Sequence, residues 1–132
     1  MLPMHAAEIS RKTKHADFLS AFKESYRMKQ IESEKTLEAR LVREIEARGG
    51  MALKYTSQFH RGIPDRICLL PYGNIYFVEL KSTGKKPTKL QEHAMQKLRD
   101  LSHFVIVISS TQELEDLLEQ IDYDLNPPFY SA

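Results

Sequence analysis

Two short apolar runs, Arg66 to Leu70 and Ile75 to Lys81, flank the tetrapeptide Pro71-Tyr72-Gly73-Asn74, and this arrangement constrains the chain more than any other feature. Proline and glycine at those positions are turn residues, so the spacing predicts an antiparallel hairpin. A third extended run, Met51 to Ser57, precedes it, and Phe104 to Ile108 (Phe-Val-Ile-Val-Ile) follows as an unbroken apolar stretch, the pattern of a strand buried on both faces.

Helical patterns fill the gaps between these runs. Leu37, Leu41, Val42 and Ile45 form one stripe between Ser33 and Arg48, and Gly49-Gly50 stops it. Thr88 with Gln91 three residues later reads as a capping box, opening a helix with the stripe Leu90, Ala94, Leu98 and Leu101. A last helix spans about Gln112 to Ile121, with Leu114, Leu117, Leu118 and Ile121 on one side. Earlier in the chain, Phe18, Leu19, Phe22 and Tyr26 recur at helical spacing among lysines and an arginine, predicting an amphipathic helix over Ala16 to Gln30. The order is α, α, β, β, β, α, β, α: an α/β (α+β) chain of 132 residues with room for one compact core. It divides into an N-terminal extension, residues 1–32, a core, residues 33–110, and an acidic C-terminal helix and tail, residues 111–132.

Several function classes are excluded. No apolar run is long enough to cross a bilayer, and the first residues lack the cationic start and apolar stretch of a secretory signal. An intracellular location is expected, in cytoplasm, nucleoid or nucleus. The single cysteine, Cys68, sits between Ile67 and Leu69 and reads as a small core residue; no Cys/His spacing suggests zinc. The formal net charge of +1 is an average over unlike regions. From Phe104 onward there are six acidic residues and no lysine or arginine, so residues 1–103 carry +7, which suits a polyanionic partner.

Three charged residues stand out against this pattern. The two-residue period of a strand puts Glu79 and Lys81 on one face and Val78 and Leu80 on the other. Asp65, after Gly62-Ile63-Pro64, begins the preceding run, and the hairpin can fold it back beside Glu79. Two carboxylates brought together repel each other unless a cation intervenes, and a hard divalent ion prefers such oxygen donors. Glu38 adds a third acid: at about 100° per residue it falls inside the apolar stripe of its helix. Glu34 falls on the same stripe, but in the first turn it is also explained as favourable charge at a helix N-terminus.

In order, Glu38, Gly62-Ile63-Pro64-Asp65, Glu79-Leu80-Lys81 and Gln91 resemble the PD-(D/E)xK nucleases, and within them the virus-type replication-repair nuclease (VRR-NUC) family. The resemblance covers Ser33 to Ser109 and implies a restriction-endonuclease-like core of order α-β-β-β-α-β, a central mixed sheet flanked by helices, with extra N-terminal and C-terminal helices here. It implies that Asp65, Glu79 and the backbone carbonyl of Leu80 bind Mg²⁺, with Mn²⁺ as a substitute, and that Glu38 is a further ligand, directly or through water. Lys81 would orient or deprotonate the attacking water. Gln91 would lie near that water, or serve only as the helix cap. Lys85, Lys86 and Lys89 beside Lys81, and His60 and Arg61 before the Gly-x-Pro-Asp element, are expected to contact DNA phosphates. The implied activity is structure-selective cleavage of DNA, with a homodimer acting on four-way (Holliday) junctions; a flap or restriction-type endonuclease, or a non-catalytic DNA-binding protein, are the alternatives.

Overall fold

The structure is a computed structural model that describes residues 17–23, 33–56 and 61–128. The chain divides into two units, Met1–Ile31 and Glu32–Ala132. In the first, residues 17–23 are helical and expose Phe18, Leu19 and Phe22; the remainder of the helix expected over Ala16 to Gln30 lies outside the described residues. The second unit runs α1 (Glu34–Ala47), β1 (Met51–Lys54), β2 (Arg66–Leu70), β3 (Asn74–Leu80), α2 (Lys89–Asp100), β4 (Phe104–Ile108) and α3 (Thr111–Leu125). This is the mixed α+β order that the sequence pattern predicts.

Local signals set the boundaries. Ser33 caps α1, its side chain accepting from the Thr36 N–H, and Gly49 takes a positive φ of 79° just past the helix end, where a residue with a Cβ is strained. Pro71–Gly73 makes the turn that folds β2 onto β3, with Leu70 opposite Asn74 and Arg66 opposite Val78. The four strands lie in sequence order: β1, β2 and β3 are antiparallel, and β4 joins β3 in parallel through the α2 crossover.

One face of the sheet carries the main core. Cys68, Leu70, Tyr76, Val78, Leu80 and Ile108 pack against Leu37, Leu41 and Ile45 of α1 and Leu114, Leu117, Leu118 and Ile121 of α3. Burial alone, slightly offset by the Arg66 charge, raises the Cys68 thiol to a pKa of about 12, so it is the inert core residue that its neighbours imply. The helix α2 packs against β4 and buries Ala94 and Met95.

One expectation about burial holds and two others are corrected. The unbroken apolar run Phe104–Ile108 predicts burial on both faces, and β4 shows it: Val105 and Ile108, which point to opposite faces, are both buried, although the strand is at the sheet edge and its first residue, Phe104, is 39% exposed. The α2 stripe predicted from Leu90, Ala94, Leu98 and Leu101 is rotated: Leu90 and Leu101 are 52% and 70% exposed, while Ala94 and Met95 are buried and Gln91 is partly covered. A polar residue thus occupies a position on the inner face. Finally, α3 continues to Leu125, one turn beyond the apolar pattern, because the buried Tyr76 hydroxyl donates to Asp124 at 2.5 Å and Leu125 packs on the core. The acidity of α3 also has an internal use, since Arg48 forks onto Asp122 (2.6 and 3.0 Å) and Arg40 reaches Glu115 (3.4 Å). No described helix is long and apolar enough to cross a membrane.

Candidate active site

Glu79 is the one charged residue among the described core positions, only 1% exposed, near the C-terminal end of β3. Its neighbours Val78 and Leu80 point into the main core, so strand alternation turns the carboxylate to the opposite face, the side on which Gln91 meets it. Three groups converge on it, two of them from other elements. The backbone N–H of Asp65 donates to Glu79 Oε2 at 3.2 Å, the amide Nε2 of Gln91 donates to Oε1 at 3.0 Å, and the Lys81 ammonium lies 3.5 Å from Oε1. The hairpin register puts Asp65, one residue before the Arg66↔Val78 pair, alongside Glu79.

Electrostatics make this carboxylate unusual. Burial first, and the neighbouring Asp65 charge second, push Glu79 up to about 7, against the opposing pull of Lys81 and the Asp65 N–H. Each carboxylate oxygen retains a lone pair beyond the bonds described. Two carboxylates beside a strand-end carbonyl form a hard oxygen donor set of the kind Mg²⁺ and Mn²⁺ accept, with water and substrate oxygens completing the shell. The residues present therefore fit such an ion.

The loop before Asp65 is tightly located. Pro64 is fully buried, and Gly62 has φ +85°; a Cβ there would stand 2.7 Å from the Leu90 carbonyl oxygen and 3.1 Å from the Gln91 nitrogen. Glycine at this position lets the loop lie directly against the first turn of α2. The same turn is held by the capping box: Thr88 Oγ1 accepts from the Gln91 N–H at 3.2 Å, and Gln91 Oε1 accepts from the Thr88 N–H at 2.9 Å. Gln91 is thus both helix cap and partner of Glu79.

Glu38 is not brought to this group. Arg66 donates to Glu38 Oε1 from Nε (3.0 Å) and Nη2 (2.5 Å) and to the Ala52 carbonyl from Nη1 (2.9 Å), and Lys54 stands 3.5 Å from the same carboxylate. Partial burial acts to raise the Glu38 pKa, but the Arg66 hydrogen bonds and charge, with Lys54, outweigh it and leave the group below its ordinary value. No cluster of three or more His, Cys, Asp or Glu side chains able to hold a metal occurs among the described residues, so the expected third acid is absent from the Asp65 and Glu79 pair. The physical reason is Arg66, which lies on the core-facing parity of β2 with Cys68 and Leu70 and meets the inward-facing Glu38 first. That parity was available in the sequence as a signal.

Of the residues expected to contact phosphates, Arg61, Lys85, Lys86 and Lys89 are exposed, and His60 lies outside the described residues. The Lys85 loop follows Lys81 directly and turns through Lys85 N–H to Ser82 carbonyl (3.0 Å).

No family model matches the chain. A protein named "Putative nuclease p44" from Acyrthosiphon pisum secondary endosymbiont phage 1 is 45% identical over 91 residues, covering 67% of this chain and 95% of that protein. A solved structure, "VRR_NUC domain", superposes with a TM-score of 0.62 at 28% identity, covering 67% of this chain and 97% of its own. With its mixed sheet, its helices and these relatives, the chain belongs to the virus-type replication-repair nuclease (VRR-NUC) family of nucleases.

Proposed function

We propose that this nuclease is a Mg²⁺-dependent endonuclease that hydrolyses phosphodiester bonds of branched DNA, with four-way junctions as the favoured substrate and a homodimer as the acting form. The observation that supports it best is the convergence of Asp65, Lys81 and Gln91 on the buried Glu79 carboxylate. In this reading Asp65, Glu79 and the Leu80 carbonyl hold the ion. When bound, Mg²⁺ or Mn²⁺ supplies charge neutralisation at the scissile phosphate and acidifies water.

The other roles belong to the chain's own side chains. Lys81, only 18% exposed and fixed beside Glu79, orients the attacking water and takes up its proton or holds the phosphate as an ammonium. Gln91 fixes the direction of the Glu79 carboxylate through its amide. Arg61, Lys85, Lys86 and Lys89 contact backbone phosphates, a sequence-independent form of binding that suits recognition of DNA shape. His60 is assigned the same role from the sequence. Glu38, tied to Arg66 through Oε1, joins the ion's oxygen donors through a bridging water, or directly on release from Arg66. Two active sites related by a two-fold axis match the paired cuts that a junction requires.

The test is a cleavage panel with labelled junction, flap, single-stranded and linear duplex DNA of random sequence, with and without Mg²⁺. Cleavage of junctions that vanishes in EDTA and in Asp65→Ala and Lys81→Ala, both still folded, is the expected result. Preferential cutting of flaps or linear duplex moves the enzyme to another substrate. Light scattering that gives a monomer at assay concentration rules out the paired-cut form.

A further inference from the structure

A second basic feature lies outside the group around Glu79, on the solvent side of α1. Lys35, Thr36, Arg40 and Arg43 line a groove of about 370 Å³ whose other wall is Thr111, the first residue of α3, and among the described residues no acidic one lines it. Lys35 and Arg43 are exposed and have no ion-pair partner among the described residues, whereas Arg40 is tied to Glu115 at 3.4 Å and closes one side.

The groove starts at the end of α1 that touches the segment following Lys81, although α1 packs on the sheet face opposite Glu79. The Glu34 N–H, at the start of α1, donates to Ser82 Oγ at 3.3 Å, and Ser82 follows Lys81 in the chain. Lys35 therefore stands one residue from the segment that bears Lys81, Lys85 and Lys86. From Lys35 to Arg43 is eight residues, about 12 Å along a helix at 1.5 Å per residue. A DNA strand advances about 3.4 Å per phosphate along its axis, so the two cations span roughly three to four phosphates. Ala39 lies midway between them and offers only a methyl group, which lets a backbone approach the helix surface.

We infer that the groove along α1 is a second DNA-backbone site, in which Lys35 and Arg43 bind the phosphates of the arm that leads away from the cleavage point. This inference rests on the DNA-cleaving function proposed above. The groove takes no part in bond breaking; it lengthens the track of phosphate contacts from the Lys81–Lys89 segment across the helix.

The experiment compares the full chain with Lys35→Ala/Arg43→Ala, both positions being exposed so that the fold is not at issue, and checks melting temperature first. Binding to junction DNA is followed by fluorescence anisotropy over a salt series in EDTA, with long arms and with arms cut back to the cleavage point. The expected result is weaker binding of long-armed DNA by roughly tenfold at about 0.1 M salt, and a salt slope lower by about two for two lost phosphate contacts. Short-armed DNA shows little difference, and with Mg²⁺ the variant raises KM while leaving kcat unchanged. Equal affinity and equal slope for the two proteins on long arms overturn the groove while leaving the proposed nuclease function intact. Failure of the unsubstituted protein to bind or cut any DNA in the panel overturns both.

Discussion

Gln91 and Glu79 are joined by a single hydrogen bond of 3.0 Å, donated by the same amide whose oxygen completes the capping box of α2 at 2.9 Å. The start of a helix and the direction of a buried carboxylate are therefore fixed by one side chain. The two roles can be separated by mutation. Thr88→Ala removes only the cap and should cost about 1 kcal/mol, a fall of a few degrees in melting temperature, with cleavage retained. Gln91→Ala should cost a similar amount and also lower kcat at least tenfold. Equal kcat in the two variants, measured at a temperature where both are folded, removes any site role for the amide.

Glu79 carries a buried charge, and the sign of its pH effect follows. Its folded pKa, about 7, lies above the ordinary 4.5, so the folded state holds the proton more tightly than the unfolded chain does. The stability associated with the protonated form is full below about 4.5 and is lost as pH rises through about 7. Glu79→Gln should abolish cleavage and yet flatten this loss, so the variant melts at an equal or higher temperature than the natural chain at pH 8 in EDTA. A lower melting temperature at pH 8 contradicts it. Mg²⁺ should raise the melting temperature of the natural chain and leave that of Glu79→Gln nearly unchanged, because a bound ion relieves the carboxylate repulsion.

Arg66 and Glu38 form a partly buried pair, 16% and 20% exposed, that removal of one partner leaves unsatisfied. Arg66→Ala should destabilise by about 1–3 kcal/mol. The double variant Arg66→Ala/Glu38→Ala should lose less than the sum of the two single changes, the signature of a direct pair. Additive losses in thermal unfolding show that the contact contributes nothing.

Gly62 faces backbone atoms that cannot move aside cheaply. Gly62→Ala meets the Leu90 carbonyl oxygen at 2.7 Å and must adopt φ near +85°, where a Cβ costs about 1–2 kcal/mol before any clash. The loop should shift away from α2, carrying Asp65 from Glu79. Expected are a lower melting temperature and a kcat reduced by more than tenfold; unchanged kinetics disprove the link between loop and helix.

How much of this was legible in the sequence depends on the range of the interaction. The hairpin, the capped helices and the placement of Glu79 opposite Val78 and Leu80 follow from turn chemistry and from periods of 2.0 and 3.6 residues, which act between near neighbours. The wheel also put Glu38 inward correctly, since Leu37 and Leu41 beside it are buried. Tertiary structure decided what each inward group meets. Arg66 takes Glu38 because β2 and α1 pack on the same face, and no local signal states which of two nearby charges arrives first. The exposed Leu90 and Leu101 result from the same cause: α2 is rotated so that Gln91 reaches Glu79 and its backbone rests against Gly62, a polar demand invisible to a count of apolar residues. The sequence alone determined the elements and the acids; packing of strands and helices from distant parts of the chain determined which acids share a site.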